Sequence, residues 1–189
     1  MGVDKALIQI EGRPLVRIVA ERLTALAEPV LLAPGVPGRL GALGFPEVAD
    51  SPPDSGPLGG LAAGIKASPH PLVAVCAVDM PFASPAVFRV LARVRTDEDA
   101  VVPVTADGVQ PFHALYATSA LPAIRWALSA GRLRALDLLS HLRVREVGED
   151  EWGSAEPSGR FATNVNRPED LLEVDVTTNG RPPGWKRGS

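Results

Sequence analysis

The sequence predicts a three-layer α/β domain built on a mostly parallel sheet. Two observations predict it. Short apolar runs alternate with segments of helical periodicity along most of the chain. The strongest apolar run, Leu72-Val73-Ala74-Val75-Cys76-Ala77-Val78, has no polar residue to turn toward water, as expected of a strand buried on both faces. A chain of 189 residues suits one domain. That domain is expected to span residues 1–176, with 177–189 a polar, Gly- and Pro-rich disordered tail.

The elements follow in order. Residues 14–27 read as a helix, because Leu15, Val19, Leu23 and Leu26 recur at helical spacing and Pro14 suits a first turn. Residues 29–33 and 45–49 are short apolar strands, and 58–67 a Gly- and Ala-rich helix. After the 72–78 strand, Ser84 is a cap and Pro85 a first-turn residue for a helix to about Arg93. Residues 100–104 form a strand, Asp107-Gly108 a turn, and 112–117 a returning strand. Ser119 is expected to cap a helix to about Ser129. A shorter helix over 136–142, a strand over 144–147 and a helix opened by Pro168 complete the chain.

Composition excludes several classes of function. Net charge is -3, with no basic excess for nucleic acid and no polybasic run for an anionic membrane. Cys76 is the only cysteine, so there is neither a disulfide framework nor a zinc cluster of cysteines. No apolar run is long enough to span a bilayer. The start lacks a signal-peptide pattern, and a reducing cytoplasm is the expected compartment.

Open α/β sheets bind ligands beyond the carboxyl ends of their strands. Asp79 follows the 72–78 strand directly, where a carboxylate either helps to hold magnesium or caps the next loop. Asp50 either accepts hydrogen bonds from a nucleoside or shapes the turn before Pro52-Pro53. Gly56-Pro57-Leu58-Gly59-Gly60 either admits a ligand to a helix start or marks a turn. Lys5 either neutralises phosphate charge or is a solvated lysine. Asn164 and Asn166, if extended, face one side and can meet a metal or a ribose, while Asn166 can also cap a helix. Arg132 and Arg134 either hold an anionic second substrate or are ordinary surface arginines. His113 reads as structural rather than as a base, and His70 and His141 have no partner in the pattern. No Ser-His-Asp set, carboxylate pair or Cys-His pair stands out.

In order and spacing these segments resemble the molybdenum cofactor guanylyltransferases of the nucleotidyltransferase superfamily. The matching segments are Met1-Gly2-Val3-Asp4-Lys5, then Gly12-Arg13-Pro14-Leu15, Asp50-Ser51, and Gly56 to Gly60. Val78-Asp79-Met80-Pro81, Pro111 with Ala114-Leu115-Tyr116, and Asn164-Val165-Asn166-Arg167-Pro168-Glu169-Asp170-Leu171 follow. The resemblance implies a Rossmann-like fold and transfer of GMP from GTP to molybdopterin. Magnesium would be held by Asp79 and Asn166, and the triphosphate stabilised by Lys5. Asp50, Gly56, Pro57 and Gly59 would contact the nucleotide, and Arg132, Arg134 and Asn164 the acceptor. Molybdoenzymes or other cofactor-handling proteins are the implied partners. The alternatives are a related transferase using CTP or another phosphorylated acceptor, and a non-catalytic nucleotide-binding partner protein. The family's opening strand and Leu-Ala-Gly-Gly loop have no counterpart ahead of Met1. A native start about twenty residues upstream is therefore expected (one strand and a loop), with weak nucleotide binding and little turnover without it.

Overall fold

The computed structural model describes residues 4–41, 43–50, 52, 53, 55–166 and 170. Strands β1 (Gln9–Ile10) and β2 (Arg13–Pro14) form a small antiparallel ribbon that leads into helix α1 (Leu15–Thr24). Strands β3 (Leu32–Gly35) and β4 (Glu47–Ala49) pair in parallel. Helix α2 (Gly56–Ala67) follows, then β5 (Leu72–Cys76) and helix α3 (Pro85–Val94). Next come β6 (Ala100–Thr105), β7 (Gly108–Val109), β8 (His113–Ala117) and helices α4 (Leu121–Ser129) and α5 (Ala135–Leu139). Strand β9 (Val144–Val147) and the short helix α6 (Glu149–Trp152) close the described fold.

The helices cover both faces of the main sheet, whose strands run in the order β5-β8-β6, with β7 and β9 both paired to β6. On one face Leu58 and Ile65 of α2, Ile124 of α4 and Leu138 of α5 pack against Ala100, Val102, Ala114 and Tyr116. On the other, Val87, Phe88 and Leu91 of α3 and Trp152 of α6 meet Val101, Leu115 and Val147. Neighbouring residues of one strand point to opposite faces, so the uninterrupted apolar runs of β6 and β8 fill two cores at once. Each fully buried side chain of this size contributes about 1.5–3 kcal/mol of transfer free energy. Ser84 caps α3 by accepting the Val87 amide at 3.4 Å, with Pro85 in the first turn, as its sequence predicts.

The expectation of a mostly parallel sheet is overturned. Strand β8 runs antiparallel to both β5 and β6, and β7 is antiparallel to β6; only the β3–β4 and β6–β9 pairs are parallel among the described residues. The physical reason lies at Asp107-Gly108. A tight turn reverses the chain after β6, and a returning strand without a crossover helix can pair only antiparallel. That strand then inserts between β5 and β6, so these two share a direction without being neighbours.

A second expectation needs correcting. Both faces of β5 are packed, Val73 and Val75 on one side and Leu72 and Ala74 on the other, yet all five of its residues are only half-buried. Among the described residues β5 pairs with β8 alone, and β3 with β4 alone. Between the two free edges runs a cleft of about 1030 Å³. Consecutive residues 28–36 and 72–79 line it, as happens when a strand borders a cavity by its edge rather than its face. Smaller differences follow local chemistry. Helix α2 starts at Gly56, two residues early; Gly56 enters it at a φ of +61°, a left-handed conformation that favours glycine, and Pro57 follows in the first turn. Ser119 does not cap α4; its hydroxyl donates to Asp99 at 2.6 Å. The helix expected from Pro168 and the tail 177–189 lie outside the described residues.

Candidate active site

Three distant parts of the chain meet just beyond the carboxyl end of β5. Asp79 stands in the loop after that strand. The loop is fixed at two points: the Ala77 amide donates to the Phe112 carbonyl at 2.7 Å, and the Val165 amide donates to the Asp79 carbonyl at 2.7 Å. The second bond places Asn166 beside Asp79. From the start of the chain, Lys5 reaches both. Its Nζ donates to Asn166 Oδ1 at 2.5 Å and lies 3.6 Å from Asp79 Oδ2. Lys5 sits in a single 3-10 turn whose cap is Asp4, which accepts the Ala6 amide at 3.1 Å and pairs with the Arg39 guanidinium. The Asn166 amide donates to Asp170 at 2.7 Å.

Of Lys5, Asp79 and Asn166, Asp79 lines the cleft. Asp50, Gly56, Pro57, Asp79 and Asn164 line it, so most of the sequence-predicted nucleotide-contacting residues share one wall system. Asp50 follows β4 and presses on the first turn of α2. A Cβ built on Gly59 would fall 3.0 Å from Asp50 Oδ2 and 2.5 Å from Ser55 Cβ, and one on Gly60 would fall 3.7 Å from Asp50 Oδ1. Glycine at 59 is what lets this carboxylate sit close to the helix start, where a negative charge is favoured by the helix dipole. Burial and the nearby Asp79 carboxylate push the Cys76 thiol well above its usual range, so it is a poor nucleophile.

The donor set suits a hard cation. Asp79 brings a carboxylate and Asn166 an amide oxygen, both within reach of one ammonium, and magnesium takes such oxygens together with substrate phosphates. Among the described residues there is no cluster of three or more His, Cys, Asp or Glu that could hold a metal ion. Arg132 and Arg134 are not brought to this group. Arg132 lies over the Trp126 ring at 5.3 Å and 3.5 Å from His141 Nε2, Arg134 precedes α5, and neither lines the cleft. Gln110, which does line it, gave no signal in the sequence beyond standing before the Pro111 segment. The role of Asn166 depends on Lys5, 161 residues away, a proximity that no local pattern reveals.

The sheet order, the helices on both faces and the Lys5–Asp79–Asn166 group at the strand ends define a nucleotidyltransferase-type α/β domain. The match to the MobA-like NTP transferase domain model over residues 1–146 agrees with this. The chain is 33% identical over 195 residues to a probable molybdenum cofactor guanylyltransferase of Chloroflexus aggregans, covering 94% of this chain and 90% of that protein. It is 35% identical over 175 residues to one of Deinococcus radiodurans, covering 92% and 86%. Among solved structures it resembles molybdopterin-guanine dinucleotide biosynthesis protein A of Archaeoglobus fulgidus, with a TM-score of 0.79, 22% identity, and 93% and 91% of the two chains covered. The fold also resembles 2-C-methyl-D-erythritol 4-phosphate cytidylyltransferase of Thermus thermophilus, with a TM-score of 0.63, 21% identity, and 92% and 93% covered. The chain belongs to the MobA-like NTP transferase family, within the nucleotidyltransferases. No helix of the described residues is long and apolar enough to cross a membrane.

Proposed function

We propose that the chain's site transfers GMP from GTP to molybdopterin, releasing pyrophosphate. The observation that carries this reading is the convergence of Lys5 and Asn166 on Asp79, which lines a cleft together with Asp50, Gly56 and Pro57. A phosphate oxygen of molybdopterin attacks the α-phosphorus of GTP, the new P–O bond forms, and the α–β anhydride bond breaks with its electron pair leaving on pyrophosphate. Such a displacement needs alignment and charge neutralisation rather than a protein nucleophile, in keeping with the inert Cys76 thiol. Magnesium, held through Asp79 and Asn166 and by the phosphates, would neutralise charge on the triphosphate.

The residues do the rest. Lys5 presents an ammonium where negative charge builds on the departing phosphates. Gly56 and Pro57 bring the start of α2 to the cleft, and a helix start favours an anion or a carbonyl of the base there. Asp50, lodged against Gly59, is placed to accept from a base or ribose donor. Asn164 lines the same cleft from the segment that carries Asn166 and is the better placed of the acceptor-side residues. Family resemblance supports the choice of guanine and molybdopterin. The test is pyrophosphate release with magnesium and molybdopterin, run with GTP and CTP in parallel. Release with GTP at least tenfold faster than with CTP is expected; equal rates, or release with CTP alone, would refute the guanine assignment.

A further inference from the structure

His113 is fully buried at the start of β8, in register with Cys76 at the end of β5. Its ring lies between two others. It stacks on Phe88 of α3 at 4.0 Å between centroids and 19° between planes, and it meets Phe161 at 4.7 Å and 54°. Its Nε2 accepts the Ser84 amide N–H at 3.1 Å, which fixes the proton of the neutral ring on Nδ1. That Nδ1 is buried and has no partner among the described residues. Burial also pushes the pKa of the ring down to about 4, so it is neutral near pH 7. A phenylalanine would fill this aromatic slot without burying an unpaired donor. What the imidazole adds is one acceptor, aimed at Ser84.

Ser84 ends the loop that carries Asp79, and it also caps α3. Phe161 stands in the 3-10 turn (Arg160–Ala162) just before Asn164 and Asn166. One ring therefore touches the far end of the Asp79 loop and the near end of the Asn166 segment. The two segments meet again at the bond from the Val165 amide to the Asp79 carbonyl. We propose that His113 is a positioning residue for the transfer site: its Nε2 holds the Asp79 loop through Ser84 while its ring, wedged against Phe161, holds the Asn166 segment, so that the two cation-facing oxygens keep a fixed separation. The proposal rests on the reading that Asp79 and Asn166 together face a divalent cation.

The test uses the full chain with two substitutions. His113→Phe keeps the ring contacts and removes the acceptor. His113→Gln removes the ring and returns an oxygen near the Nε2 position. Amide hydrogen exchange reads the Ser84 and Val165 amides, with Leu115 and Tyr116 of β8 as controls for global opening. Mn²⁺ alone serves as the cation probe, its binding followed by electron paramagnetic resonance. In His113→Phe, exchange at Ser84 is expected to rise at least tenfold over the controls, and Mn²⁺ affinity to fall about tenfold. His113→Gln recovers part of the Ser84 protection, while loss of the ring raises exchange at Val165. In turnover assays His113→Phe lowers kcat and leaves the KM for GTP within about twofold. Exchange at Ser84 unchanged in His113→Phe overturns the proposal, as does a His113→Gln variant in which Ser84 exchanges no more slowly than in His113→Phe or Val165 stays as protected as in the parent. If the parent chain binds no Mn²⁺, the cation reading fails, while the Ser84 and Val165 exchange in the two variants still decides whether His113 holds both segments.

Discussion

Replacing either of two glycines in α2 by alanine should move stability in opposite directions, and the structure says why. Alanine is the better helix former by about 1 kcal/mol. At Gly64 a new Cβ meets nothing within 4 Å, so Gly64→Ala should keep most of that gain, about 0.5–1 kcal/mol. At Gly59 the Cβ would sit 2.5 Å from Ser55 Cβ and 3.2 Å from Asp50 Cγ, well inside contact distance. Ser55 is buried and its hydroxyl donates to the Pro52 carbonyl, so it has little room to yield. Overpacking of this kind costs about 1–3 kcal/mol, which outweighs the helix gain. Gly59→Ala should therefore lose up to about 2 kcal/mol net. For a chain of this size each kcal/mol moves Tm by about 2–4 °C, so Gly64→Ala should melt about 1–4 °C above the parent and Gly59→Ala up to about 8 °C below it. Thermal denaturation followed by far-UV circular dichroism reads both. A Gly59→Ala variant stabilised as much as Gly64→Ala would refute the close seating of Asp50 and Ser55 on the first turn of α2.

Further outcomes are expected elsewhere. The Arg143 guanidinium, helped by the Ser119 hydroxyl and the Arg143 amide and opposed by partial burial, holds the Asp99 carboxyl down to about 2. Because that value lies below the unfolded one of about 3.9, the stabilisation is present above pH 4 and is lost as pH falls through about 2. Arg143 is largely exposed, so urea denaturation should show Asp99→Asn less stable by about 1–2 kcal/mol at pH 7, with the gap closing in acid; a gap that persists at pH 2 would contradict this. Lys5→Met removes the ammonium between Asp79 and Asn166 and should cut kcat about 10²–10³-fold, with a smaller change in KM for GTP; unchanged turnover would remove Lys5 from the mechanism. Amides on the free edge of β5 should exchange faster than those bonded to β8.

Much of the fold is legible wherever the controlling physics is local. Ser84-Pro85 starts α3, Asp107-Gly108 turns the chain, and residues 144–147 form β9 as their pattern predicts. Strand direction is less local. Alternation of helices and apolar runs suggests parallel pairing, but the Asp107-Gly108 turn commits β8 to antiparallel pairing with both neighbours. Half-burial of β5 was equally hidden, since apolar composition says which residues can be buried and not whether an edge is covered. At the site, Asp79 is readable as a strand-end carboxylate from its position alone. Its meeting with Lys5 and Asn166 came only from the resemblance, because contacts across 161 residues leave no local trace. The Asp99–Ser119–Arg143 clip, which ties the starts of β6 and β9 to the turn before α4, had no signal at all.

Titration of Mg·GTP into the parent chain and into Asp79→Ala, read by calorimetry with and without EDTA and by proton NMR if binding is weak, tests the central claim most directly. The parent should bind GTP with an affinity that magnesium raises, and the variant should lose at least tenfold of it and all of its dependence on magnesium. Equal, magnesium-dependent affinity in the two proteins would contradict the assignment of Asp79 as the anchor of the cation.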